Sequence, residues 1–114
     1  MAYNQGEIVW LDMQFSNTQD GKERPVLIIS NSSLQSFGDV IALKITKTHH
    51  NDGFHYKLED DMLSKPLRES SSVHFSNIHT LAAEIFTSRI KPIKLNRTNL
   101  DEIIEKVKDL IELE

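Results

Sequence analysis

The 114-residue chain has no cysteine, which excludes disulfide bridges, thiolate metal sites and a cysteine nucleophile. No apolar run exceeds four residues, as in Val26–Ile29, far below the roughly 20 that span a bilayer. The opening Met1-Ala2-Tyr3-Asn4-Gln5-Gly6 lacks a basic stretch followed by an apolar one, so neither a secretory signal nor a membrane partner is expected. Glycines stand at positions 6, 21, 38 and 53, each at an expected turn, which leaves no glycine-rich phosphate loop. Five histidines occur without H-E-x-x-H or comparable spacing, so neither a metal nor another cofactor is expected. Ser30-Asn31-Ser32-Ser33 and Ser70-Ser71-Ser72 fall outside G-x-S-x-G and read as loop chemistry. With 39% hydrophobic and 26% charged residues, the chain reads as one cytoplasmic domain over 1–114, large enough to be stabilised by its own core.

Charge is unevenly spread. From Thr98 to Glu114 there are six acidic and two basic residues, a net of −4 that equals the imbalance of the whole chain. The preceding residues are charge-neutral and hold all five histidines. An acidic total therefore leaves room for a nucleic-acid-binding face in the main body.

Short β-type runs fill the first 95 residues. Glu7–Leu11 reads as a strand, followed by a polar loop over 12–23. Pro25–Ser30, Asp39–Thr46, Phe54–Leu58, Ser72–Leu81 with a bulge near Asn77, Glu84–Phe86 and Arg89–Leu95 read as further strands. Such spacing favours a small barrel over a parallel α/β sheet. The pattern then changes period: Leu100, Ile103, Ile104, Val107, Leu110 and Ile111 form one helical stripe, with Thr98 as the expected N-cap. The pattern therefore reads as mainly β, a small barrel followed by a C-terminal helix that lies on the barrel or on a partner.

The segment richest in chemical potential is Gly21-Lys22-Glu23-Arg24-Pro25, which runs into Val26-Leu27-Ile28-Ile29-Ser30-Asn31. An isolated Arg-Pro is ordinarily a solvated loop arginine. Here the proline biases the preceding residue toward extended geometry and opens an apolar strand, which aims Arg24. Guanidinium stays charged and its planar fork suits phosphate. A second candidate group, Thr46-Lys47-Thr48-His49-His50, ends another strand. Metal-independent RNA cleavage needs charge dispersal on the phosphate together with proton removal and donation. Arg24 and Thr46 meet the first need, and a histidine or an acid of the 12–23 loop the second.

Gly6-Glu7-Ile8-Val9-Trp10-Leu11-Asp12, the Gly21–Asn31 stretch and Val40–Thr46 resemble the MazF/PemK-type toxins of bacterial toxin–antitoxin systems. The similarity extends more loosely through Ser76-Asn77-Ile78-His79-Thr80-Leu81, the strand over 89–95 and the closing helix. This resemblance implies a mainly β fold, a small SH3-like barrel with a C-terminal α-helix, and a homodimer. It also implies metal-independent, sequence-selective cleavage of single-stranded RNA, and inhibition by an antitoxin protein, with DNA engaged only through that antitoxin. It assigns Arg24 and Thr46 as catalytic. The family's Gln-Ile-Arg-Thr-Ile-Asp stands here as Asn77-Ile78-His79-Thr80-Leu81-Ala82, so the second basic position is His79 and the acidic one is lost. The arginine expected a few residues later falls at Ile85, and one extra residue lies within Gly21–Pro25. The expected site is thus Arg24, Thr46 and His79 for catalysis, with His49 or His50 as further proton carriers. Asp20, Glu23, Lys47, Thr48, His49, His50 and Asn77 are expected at the substrate, with Tyr56 or Phe54 able to stack a base. The alternative is a catalytically weakened or inactive barrel of the same fold that acts by binding protein or RNA, as the gyrase-poisoning toxins of the same architecture illustrate.

Overall fold

A computed structural model describes residues 3–12 and 22–114. Six antiparallel strands form one curled sheet: β1 (Glu7–Leu11), β2 (Arg24–Ile28), β3 (Asp39–Thr46), β4 (His55–Lys57), β5 (Ser72–Ala82) and β6 (Ile93–Lys94). Their order across the sheet is β4-β5-β3-β2-β1-β6. After β4 the chain passes through a 3₁₀ turn at Asp60–Met62 and reaches the far edge, where Leu63 bridges Leu95 and the Ser64 amide donates to the Lys94 carbonyl at 2.9 Å. That crossing curls the sheet into a half-barrel.

Alternation along the strands divides the interior into two cores. Ile8, Leu27, Leu43, Ile45 and Val73 pack on one face with Leu100, Ile103 and Val107 of the helix α2 (Arg97–Leu110). Val9, Val26, Ile28, Val40 and Ala42 pack on the other with Tyr3 and Phe86. A short helix α1 (Ser32–Gln35) joins β2 to β3.

The strands over 7–11 and 39–46 stand where the pattern places them, and β5 bears its irregularity between residues 74 and 78, beside Asn77. Three expectations need correction. Residues 83–85 form a 3₁₀ turn rather than a strand, because the segment meets β1 only through the Leu11–Phe86 bridge and the flanking amide bonds. The strand expected over 89–95 is reduced to Ile93–Lys94, directly after Pro92, which has no amide to give a ladder. The cap of α2 is Asn96, whose side chain accepts from the Asn99 amide at 2.9 Å, and Thr98 lies inside the first turn.

Candidate nucleic-acid interface

The chemistry-bearing residues gather on the sheet face turned away from α2. The β2–β3 ladder pairs Val26 with Lys44, Leu27 with Leu43 and Ile28 with Ala42. Carried two residues further, the same register sets Arg24 level with Thr46, about 5 Å apart in backbone terms. Arg24, Lys44 and Thr46 share their face with Val26, Ile28 and Ala42. On β5, Ser72 stands opposite Thr46 and His74 opposite Lys44. On β4, Lys57 stands opposite Ser72 and His55 opposite His74. Two parallel rows result. One runs Arg24, Thr46, Ser72, Lys57; the other, about 7 Å along the strands, runs Val26, Lys44, His74, His55.

The turn after β3 folds back over these rows. The Thr46 hydroxyl oxygen accepts a long 3.4 Å contact from the Thr48 amide, and its own proton is left to donate. His49 Nδ1 and Ser72 Oγ are 2.8 Å apart, which draws the His49 ring to the Arg24–Thr46 row. The His50 ring meets His55 at 5.0 Å between centroids, and His55 stacks on His74 at 4.3 Å with 16° between planes. His55 Nδ1 lies 2.8 Å from the Asp52 carboxylate. Four of the five imidazoles thus form one cluster, although they come from separate stretches of chain. Among the described residues no group of His, Cys, Asp or Glu side chains is disposed to hold a metal ion.

The electrostatics of the cluster follow from its crowding. Burial holds the His74 pKa below its ordinary 6.5, the charges of His55, Lys44 and His50 act in the same direction, and Asp52 opposes them. The hydrogen bond from His55, and a second from the Phe54 amide, hold Asp52 below the usual carboxylate value.

The remaining expected site residues are more dispersed. His79 stands opposite Ala42, four residues along β3 from Thr46 and so about 13 Å from the Arg24 row. Its Nε2 bonds to the side-chain oxygen of Asn77. Lys47 pairs with Glu69 at 3.2 Å, with both side chains about half exposed, an arrangement that contributes at most about 1 kcal/mol. Glu23 Oε2 lies 3.0 Å from Arg89 Nη2, yet makes no aligned hydrogen bond; the distance identifies a charge contact whose donor direction is poor. Tyr56 is turned to the other face, where its hydroxyl donates to Glu102 at 2.6 Å and accepts from Asn99 at 2.7 Å. Asp20 lies outside the described residues.

Over residues 4–111 the sequence matches the family described as PemK-like, MazF-like toxin of type II toxin–antitoxin system. The chain belongs to this family. Its fold is similar to that of a MazE–MazF complex from Deinococcus radiodurans, with a TM-score of 0.77 at 20% identity and full coverage of both chains. It is also similar to an endoribonuclease in complex with its cognate antitoxin from a mycobacterial species, with a TM-score of 0.74 at 20% identity, covering 99% of this chain and 98% of that one. A second mycobacterial endoribonuclease gives a TM-score of 0.72 at 20% identity, over 96% and 90% of the two chains. No curated protein matches the chain by sequence.

Within this chain, Lys44, Lys57, His55, His74 and Arg89 are the residues that sequence reading did not select for the site. Alternation along β3 was a usable signal for Lys44, which shares parity with Thr46. Nothing local marks His55 and His74 as neighbours, because only the β4–β5 register joins them. A cleft of about 670 Å³, lined by Leu58, Asp60, Leu63, Leu67, Arg68 and Ser70 among others, adjoins the Lys57 end of the first row, where Lys57 Nζ donates to Ser70 Oγ at 2.6 Å. Within the rows Lys44 and Lys57 are exposed, Arg24, Thr46 and His74 are half-buried, and Ser72, Val26 and the His55 side chain are buried, so the accessible part is a basic, hydrogen-bonding ledge rather than an enclosed pocket.

Proposed function

We propose that this protein is a metal-independent endoribonuclease toxin that cuts single-stranded RNA at selected sequences and is neutralised by an antitoxin. The observation that carries this reading is the register that sets Arg24 and Thr46 side by side on one open face, with His49 drawn to the same row through Ser72. In this reading the Arg24 guanidinium binds the scissile phosphate through paired N–H donors and spreads the charge that grows as the 2′-oxygen attacks phosphorus. The Thr46 hydroxyl donates to a second phosphate oxygen. His49 takes the 2′-hydroxyl proton or returns one to the leaving 5′-oxygen. Lys44 and Lys57 extend the positive track for flanking phosphates. His79 and Asn77, further along the sheet, contact the strand away from the cut and contribute to sequence choice. A homodimer and a cytoplasmic location accompany the family reading.

The deciding experiment is cleavage of a long single-stranded RNA in EDTA by wild type and by Arg24→Ala. Wild type is expected to yield discrete fragments, and Arg24→Ala to lose at least a hundredfold in rate. Cleavage that survives the substitution removes Arg24 from the mechanism. Absence of cleavage by a folded wild type between pH 5.5 and 8.5 would assign the face to binding instead.

A further inference from the structure

We infer that the row formed by His50, His55 and His74 is a stacking subsite for a nucleobase of the RNA strand, next to the phosphate held at Arg24. The inference rests on the nuclease reading above and names a contact that the reading leaves open. Three observations support it. First, aromatic rings are already packed together there: His55 stacks on His74 at 4.3 Å and 16°, and the exposed His50 ring meets His55 edge-to-face at 5.0 Å and 62°, which leaves the His50 ring for a base to lie on. Second, the row is ordered from within. The His55 side chain is only 5% exposed and is tied to Asp52, whereas His50 is exposed and forms the open end. Third, His55 and His74 stand about 7 Å from the Arg24–Thr46 row on the same face, a span of about two nucleotides at about 3.4 Å per stacked base.

The chemistry favours a base over a second phosphate. Asp52 lies exposed at the edge of the cluster, bonded to His55, and its carboxylate repels an anion. Crowding and burial disfavour charge on His74, so that ring is a neutral aromatic surface at neutral pH. Every base has a π-face, and base–aromatic stacking is tolerant of sequence. The subsite therefore contributes affinity and positioning of the strand, while discrimination comes from other contacts.

The test is binding, read apart from cleavage. A fluorescein-labelled 2′-O-methyl oligoribonucleotide pool, which cannot supply the attacking hydroxyl, is titrated beside an abasic strand of equal length. Wild type is expected to prefer the base-bearing strand by about tenfold. His50→Ala and His74→Ala are expected to lose most of that preference, and His50→Phe to restore it, since phenylalanine stacks but carries no charge. His50 is exposed, so its variants keep the test valid if a His74 variant fails to fold. An unchanged preference in folded His50→Ala and His74→Ala overturns the inference. So does a fall in the salt dependence of binding that phenylalanine does not repair, which would identify a phosphate contact. A wild type that binds as described but cuts nothing would refute the nuclease reading and leave the subsite standing.

Discussion

Gly6 offers the sharpest separation of backbone strain from side-chain overlap. Its φ is +89°, and a Cβ built there would lie 2.9 Å from Leu100 Cδ2. Gly38, at φ +80°, has nothing within 4 Å of such a Cβ. Left-handed backbone costs a non-glycine residue about 1–2 kcal/mol, a penalty common to both sites. Alanine also stiffens the unfolded chain, which returns about 0.4–1 kcal/mol. Gly38→Ala should therefore cost about 1 kcal/mol or less. At Gly6 the backbone cannot turn away, because its amide donates to Ile28 at 2.7 Å and its carbonyl accepts from Leu95 at 2.9 Å. Leu100 is buried on α2, so moving its methyl group adds an overpacking cost of about 1–3 kcal/mol. Gly6→Ala should then cost about 2–3 kcal/mol in all. Urea unfolding monitored by far-UV circular dichroism would measure both. With a slope of about 2 kcal/mol per molar urea, Gly6→Ala should lower the midpoint by about 1 M and Gly38→Ala by less than half of that. Equal midpoint shifts for the two variants would refute the packing argument, since they would mean that Leu100 yields without cost.

Two further outcomes follow from the imidazole cluster. The His74 pKa is held below 6.5 in the folded protein, so on acidification the unfolded chain takes up this proton first and stability falls as pH drops below about 6.5. Thermal melts between pH 7.5 and 5 should show that decline in wild type and a flatter profile in His74→Gln; equal profiles would remove His74 as the cause. For cleavage, His49→Ala should slow single-turnover cutting by ~10² or more, as loss of a proton-transfer group does. His79→Ala, with its side chain about 13 Å from the Arg24 row, should slow it less than tenfold, and a reversed order would return the proton role to His79.

The parts of the fold that could be read from sequence are those governed by nearest neighbours. Period-two alternation marks Glu7–Leu11 and Asp39–Thr46 because one face of each strand is buried, and the 3.6-residue stripe marks α2 for the same reason. The segment over 83–86 misled because its apolar residues do pack in a core, yet they do so from a turn. Hydrophobic content reports burial, and a bridge of one residue pair is too short to impose strand geometry. Asn96 and Thr98 are both acceptable caps by type, and only the position of the first free amide, Asn99, decides between them.

The site divides along the same line. Arg24 and Thr46 were legible because each ends a strand whose chemistry is local, and a single antiparallel register then brings them level. The histidines were not, since their grouping depends on β4–β5 pairing and on the irregularity in β5. Between Lys44 and Leu43 the β5 partners jump from His74 to Ile78, so an odd number of extra residues reverses which parity faces outward. An uninterrupted strand would have put His74 and His79 on opposite faces. The bulge instead places both on the Arg24 face, but it leaves His74 one row from Arg24 and moves His79 beyond it. One backbone irregularity thus separates the histidines into a cluster at the Arg24 end of the sheet and an outlier. That is the physical reason why the imidazoles that neighbour the Arg24 row are His49, His55 and His74 rather than His79, the position that sequence alone would align.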